Sequence, residues 1–176
     1  MWINKLKMKV LKNLVKELYD LGYNPILVGE EVLTLKGVWD RRIEQFTFIL
    51  TKKEIKKLKN EEKILSEYNS EIDVEGECVY LNIETVRMNI YAVFCVPKVY
   101  GIKEEPYKYE EINVYGLPVR VRPLSLIYKD FKRQKELLDG LKDRLGECNF
   151  ETYTERRVKE VLSALQLYLG IEENES

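Results

Sequence analysis

The chain contains no histidine. That absence removes the commonest general base, the Ser–His and Cys–His nucleophile pairs, and most zinc sites. Any acid–base or metal chemistry therefore falls to carboxylates, lysine and tyrosine. Glu30 and Glu31 follow Gly29 directly, and Asp40 and Glu44 lie a short way downstream. Glu30, Asp40 and Glu44 together could ligate a divalent cation, but no common period ties them to one face. Glu30 and Glu31 are read instead as first-turn acids of a short helix, where the helix dipole favours negative charge.

Two basic clusters stand out. The first is Lys52, Lys53, Lys56, Lys57 and Lys59, and the second is Arg120 and Arg122 with Lys129, Lys132, Arg133 and Lys135. Like-charged runs of this kind usually mark solvated faces. Arg120 and Arg122 alternate on a strand and so share a face near the following helix. If a nucleic-acid patch exists, Arg120, Arg122, Lys129 and Lys132 are its candidates. Few aromatic residues are interleaved with either cluster, so no base-stacking platform is indicated. Cys78, Cys95 and Cys148 are odd in number and lack a CxxC spacing. They are expected to be buried free thiols in a reducing compartment.

The whole-chain balance limits what these clusters can do. Lysine and arginine number 29 against 30 acids, a net charge of −1, so no molecular field draws the protein to nucleic acid or anionic lipid. Its 176 residues suit one domain with a real core. No apolar run approaches the roughly 20 residues of a membrane span, and the first residues lack a signal-peptide core. A cytoplasmic location is expected. Abundant Lys, Glu and Tyr with few Gln suggest a thermophile.

The elements that must position these residues follow from period and punctuation. Residues 4–21 carry Leu6, Val10, Leu14, Leu18 and Leu21 at helical steps. Ile26, Leu27 and Val28 form a short buried strand, followed by a helix over 30–36 closed by Gly37. Residues 46–50 make a second strand, and Thr51 caps a helix over 52–59. Extended runs follow at 78–83 and 86–96, then a loop at 97–109. A hairpin is expected from residues 112–115 and 119–121, turning at Gly116, Leu117 and Pro118. Ser125 would cap a helix over 126–138, Gly140 would interrupt it, and Thr152 or Thr154 would open a last helix ending near Gly170. The acidic residues 172–176 are expected to fray. This order predicts an α+β fold with a mixed sheet, helices on one side and a helical C-terminal extension. A single domain is expected, with a core over about 1–138 and the extension over 139–176.

Residues 14–138 resemble, in order and spacing, the minimal nucleotidyltransferases. Those proteins carry a helix, a strand ending in a Gly-Gly or Gly-Ser turn, and a short helix ending in Gly. A strand of the form Arg-x-Thr-x-Asp-hydrophobic-Asp follows. Here the progression runs Pro25-Ile26-Leu27-Val28-Gly29-Glu30-Glu31-Val32-Leu33-Thr34-Leu35-Lys36-Gly37, then Arg41-Arg42-Ile43-Glu44-Gln45-Phe46-Thr47-Phe48-Ile49-Leu50. Val86-Arg87-Met88-Asn89-Ile90-Tyr91 resembles the strand bearing the family's third carboxylate. Gly116 to Leu126 resembles its late strand and helix entry.

The resemblance implies a mechanism that this chain cannot supply. Nucleotidyl transfer uses two magnesium ions held by carboxylates, with two acids at i and i+2 on one strand face. Preserving the apolar strand puts Gln45 and Thr47 at those positions, whereas counting from Gly37 puts Glu44 and Phe46 there. Asn89 stands at the third. Glu30 replaces the small residue of the phosphate turn, where it would repel a triphosphate. In an active relative, Gly29, Glu30, Arg41 and Lys132 would be the positions that meet the nucleotide.

The expectation is a retained fold with lost catalysis, acting by binding a protein partner or a second copy of itself through the C-terminal helix. That helix bears a stripe of Val158, Val161, Leu162, Leu165 and Leu169, with Leu167 and Tyr168 to spare. No cofactor or metal is expected, no membrane, and no nucleic acid. A divergent magnesium-dependent enzyme using Glu44, and a nucleic-acid-contacting accessory domain, are the alternatives.

Overall fold

Burial of one apolar stripe per helix against one sheet face organises the chain. The computed structural model describes residues 2–73, 76–145 and 152–172. Cys148 and the acidic residues 173–176 lie outside the described residues.

The chain opens with α1 (Trp2–Asp20), whose Leu11, Leu14, Val15 and Leu18 are buried at three- and four-residue steps. β1 (Ile26–Val28) follows, then α2 (Glu31–Leu35) and β2 (Gln45–Ile49). α3 (Lys52–Leu58) opens with a complete capping box. The Thr51 hydroxyl accepts from the Glu54 amide, and the Glu54 carboxylate accepts from the Thr51 amide. Two elements come next that the sequence pattern did not show, α4 (Glu62–Glu67) and β3 (Asn69–Ile72).

β4 (Cys78–Glu84) and β5 (Asn89–Cys95) form a hairpin whose turn takes in Val86 and Arg87, so β5 begins later than expected. The expected loop at 97–109 opens with one 3₁₀ turn (Pro97–Tyr100). β6 (Glu110–Val114) and β7 (Leu117–Val121) are joined by Tyr115 and Gly116 alone. Both have positive φ, 49° and 88°, the two-residue turn that matches strand twist. Leu117 and Pro118 thus belong to the strand rather than to the turn.

α5 (Leu124–Leu145) begins one residue before Ser125 and runs straight through Gly140. A glycine costs a helix interior only about 1 kcal/mol, and packing of α5 on α6 outweighs it. α6 (Tyr153–Leu169) opens at Thr152, whose hydroxyl accepts from the Glu155 amide, and closes at Gly170.

Among the described residues seven strands form one mixed sheet in the order β3-β4-β5-β2-β1-β7-β6. β1 pairs antiparallel with β2 and parallel with β7, while β2 runs parallel to β5. One face carries Leu27, Phe46, Phe48, Phe94, Val119 and Val121 into the main core, with residues from each of the helices α1 to α6. Phe48 and Phe94 stack with ring centroids 4.9 Å apart. α6 belongs to this core, since Val158, Val161, Leu162 and Leu165 are all buried in it.

The other face is covered by loop rather than helix: Ile26, Val28 and Ile49 pack with Ile102, Tyr100 and Tyr107. There Cys78 and Cys95, direct register partners, are joined by a disulfide, which corrects the expectation of free thiols. Strand register brings the pair together across 17 residues. None of the described helices is long and apolar enough to cross a membrane.

Candidate functional site

β1 ends in Gly29 with φ +86°, a conformation that side chains resist. A Cβ there would also lie 3.1 Å from a Glu31 carboxylate oxygen and 3.9 Å from Thr47 Cβ. The backbone conformation of the turn therefore favours glycine, and α2 follows it directly. Glu31 enters the protein and Glu30 faces α6.

Next to this turn lies a cavity of about 520 Å³. Val28 to Glu31 and the Gln45–Thr47 pair of β2 form one wall, and residues 99–102 form the second. Asp130, Phe131 and Arg133 of α5 and Tyr153 and Arg157 of α6 are among the residues that close it.

β2 decides the register left open by the sequence. Phe46 and Phe48 are wholly buried in the main core, so Gln45 and Thr47 face the cavity. Their side chains hydrogen-bond, with Gln45 Nε2 donating to Thr47 Oγ1 at 3.3 Å. Glu44, the alternative, is exposed and lies outside the cavity lining. Asn89 is exposed at the start of β5. The β5 residues beside Gln45 and Thr47 are Tyr91 and Val93. No carboxylate thus stands at the strand positions where a metal pair would sit.

The phosphate turn is altered in the same sense. The Glu30 carboxylate accepts from Arg157 Nε at 2.5 Å, which ties the turn to α6. Glu31 is 6% exposed, and its carboxyl is pushed up to about 8. Burial is the main cause. The negative charges of Glu30 and Glu44 add to it, while its own backbone amide and Arg157 oppose without reversing it. Burial therefore favours the protonated form of Glu31 at neutral pH, and it raises Asp130, a second carboxyl on the cavity lining, in the same direction. With an amide and a hydroxyl at the two β2 positions, the strand offers no charged ligand to a pair of magnesium ions. Among the described residues, no group of three His, Cys, Asp or Glu is placed to hold a metal, which removes the Glu30–Asp40–Glu44 arrangement.

Of the positions that would meet a nucleotide, Gly29 and Glu30 line the cavity, and Arg41 and Lys132 do not. Arg41 stacks on Trp39, 4.3 Å from the ring centroid, and pairs with Glu160 of α6. Arg122 is likewise not a surface group. It is 1% exposed and donates to both Asp130 oxygens, at 2.5 and 3.0 Å, and to Glu104 at 2.6 Å. Arg120 lies 4.5 Å from the centre of the Tyr109 ring. The expected patch of Arg120, Arg122, Lys129 and Lys132 is thus interrupted by a buried ion-pair network.

The sequence marks none of several further groups as lining this cavity, although Arg133 stands out there as part of a basic cluster. Tyr100, Arg133, Tyr153 and Arg157 come from segments far from Gly29, and only tertiary packing collects them. Arg133 is held by the Gly101 carbonyl, and burial raises the Tyr100 hydroxyl above its ordinary range. Glu31 was visible in the sequence as a second acid after the glycine, but its inward direction was not.

The fold so defined is nucleotidyltransferase-like, as expected from the order of motifs. An antigenic nucleotidyltransferase-like protein from Paracoccidioides brasiliensis matches over 92% of this chain and 75% of its own, with a TM-score of 0.64 and 10% identity. A Thermotoga maritima protein assigned as a nucleotidyltransferase matches over 81% of this chain and 92% of its own, with a TM-score of 0.58 and 14% identity. Likeness at such low identity establishes the architecture and leaves activity to the site. No family model and no curated protein matches the chain.

Proposed function

We propose that this chain is a nucleotidyltransferase-fold protein that has lost metal-dependent transfer and acts by binding. The observation that carries the reading is the pair Gln45 and Thr47 on the cavity face of β2, where catalysis needs two acids. The Glu30–Arg157 ion pair supports it, because the phosphate turn is engaged by α6 and presents a carboxylate. In this reading the protein takes no metal cofactor and resides in the cytoplasm of a heat-adapted cell. The Cys78–Cys95 disulfide accords with that setting, since intracellular proteins of hyperthermophiles often contain disulfides.

The partner in this reading is a protein, a second copy of the chain being the specific form proposed. Leu167 and Tyr168 on the outer side of α6 are 87% and 56% exposed. Leu167 also borders a surface groove of about 480 Å³ with Trp39 and Ala164. Exposed apolar side chains on one helix face offer a surface on which two copies could pair about a two-fold axis.

The test is a transfer assay with α-labelled nucleoside triphosphates and magnesium or manganese, over RNA and protein acceptors. No incorporation is expected. Metal-dependent labelling that is lost in Glu44→Gln would replace this reading with that of a divergent enzyme.

A further inference from the structure

The sequence pattern of the α3 lysines suits a solvated face, but the fold places a second basic segment opposite them. Between α3 and the segment after β5 runs a groove of about 910 Å³. Lys52, Lys53, Lys56 and Lys59 line one side, and Lys98 and Lys103 the other. Among the described residues two acids share the lining, Glu77 and Glu105, and Glu77 pairs with Lys98 at 2.6 Å. Among the described residues, the five remaining lysines have no carboxylate within ion-pairing distance.

We propose that this groove binds the phosphate backbone of a single-stranded nucleic acid. Folding does not account for the charge. Lys52 and Lys56 are four residues apart on one short helix, and Lys56 and Lys59 three apart, spacings at which like charges repel. The chain as a whole is nearly neutral, so the concentration here is a local departure.

Lysine also discriminates between classes of partner. It is depleted at protein–protein interfaces, whereas nucleic-acid interfaces are strongly positive and contact phosphates without reading sequence. The concave shape favours one strand over a duplex. Tyr107, half-buried in the lining with its hydroxyl donating to Glu105 at 3.3 Å, offers a ring on which a base can stack.

The walls are fixed in advance. Ile55 and Val96 are buried in the main core. Ile102 packs against Ile26, Val28 and Ile49 on the opposite sheet face. Ile102 also lines the cavity beside Gly29, so the two sites share a wall, while the groove uses none of the altered catalytic positions.

The test is fluorescence anisotropy with labelled oligouridylate and oligothymidylate of about 20 nucleotides, which exceeds the site size of known single-strand grooves. If about four phosphates are neutralised, affinity should fall roughly 50-fold between about 50 and 200 mM salt. The double variant Lys52→Glu with Lys56→Glu, and independently Lys103→Glu on the opposite wall, should each weaken binding at least tenfold, an order-of-magnitude expectation for lost phosphate contacts. Lys129→Glu on α5 should bind as the parent does, and unchanged melting curves would show that each variant is folded. Three results would overturn the proposal. They are absence of salt-dependent binding, binding that survives changes on both walls, and equal competition by polyglutamate, which would indicate an acidic protein instead.

Discussion

Glu31 is the residue on which the character of the site turns. Its carboxyl ordinarily titrates near 4.5 and is raised to about 8 in the fold, chiefly by burial. Between those values the native state keeps a proton that the unfolded chain has released. The contribution of Glu31 to stability should therefore be fullest below about pH 4.5 and fall by up to about 1.4 kcal/mol per pH unit as pH rises toward 8. Urea unfolding from pH 5 to 9 measures this directly, and Glu31→Gln should flatten the profile. An unchanged slope in the variant would show that other groups produce it. Arg122→Met makes a second case, because it strands Asp130 and Glu104 without their shared cation. A loss of about 3 kcal/mol is expected in the same assay, at the low end for a broken buried pair because Glu104 is partly solvated. At this scale the residue types of the site were legible in the sequence, while directions were not. Gln45 and Thr47 could be named as candidates, but only the burial of Phe46 and Phe48 in the opposite core decided their register over Glu44. The ion pairs Glu30–Arg157 and Arg122–Asp130 left no local signal, since each depends on how α5 and α6 return to the sheet.

Among the elements, those with a clear period or strong punctuation were legible: α1, β1, β2, the capped α3, the β6–β7 hairpin and α6. The stretch holding α4 and β3 was not. It is rich in charge, Ile64 is its only fully buried apolar side chain, and β3 is an edge strand with almost every residue exposed. Such a strand shows no alternation because neither face is buried. α6 was foreseen as both a packing element and an interaction surface, and its two faces can now be assayed apart. Leu165→Ala removes a wholly buried side chain and should cost about 2–5 kcal/mol in monomer unfolding. Leu167→Ser changes an exposed side chain and should alter unfolding by less than about 0.5 kcal/mol. Under the homodimer proposal, it should instead shift sedimentation toward the monomer. If the parent protein is itself monomeric up to near-millimolar concentration, a second copy is not the partner.

For the molecule as a whole, the order of motifs announced a nucleotidyltransferase-like fold, and the low-identity structural matches agree. The surface was less legible than the fold. Arg120 and Arg122 looked like a patch and proved to be divided by burial, whereas the lysines of α3 looked like a solvated face and form one wall of a groove. In both cases the deciding partners, Glu104 and Lys103, come from the segment following β5, which has no periodicity to announce where it lies. The central claim is that this fold persists around a site unable to hold a magnesium–triphosphate complex. Its most direct measurement is calorimetric titration of the protein with ATP, with and without magnesium, at neutral pH. The account predicts no heat of binding that depends on magnesium. A magnesium-dependent isotherm with sub-millimolar affinity, abolished by Gln45→Ala with Thr47→Ala, would contradict it.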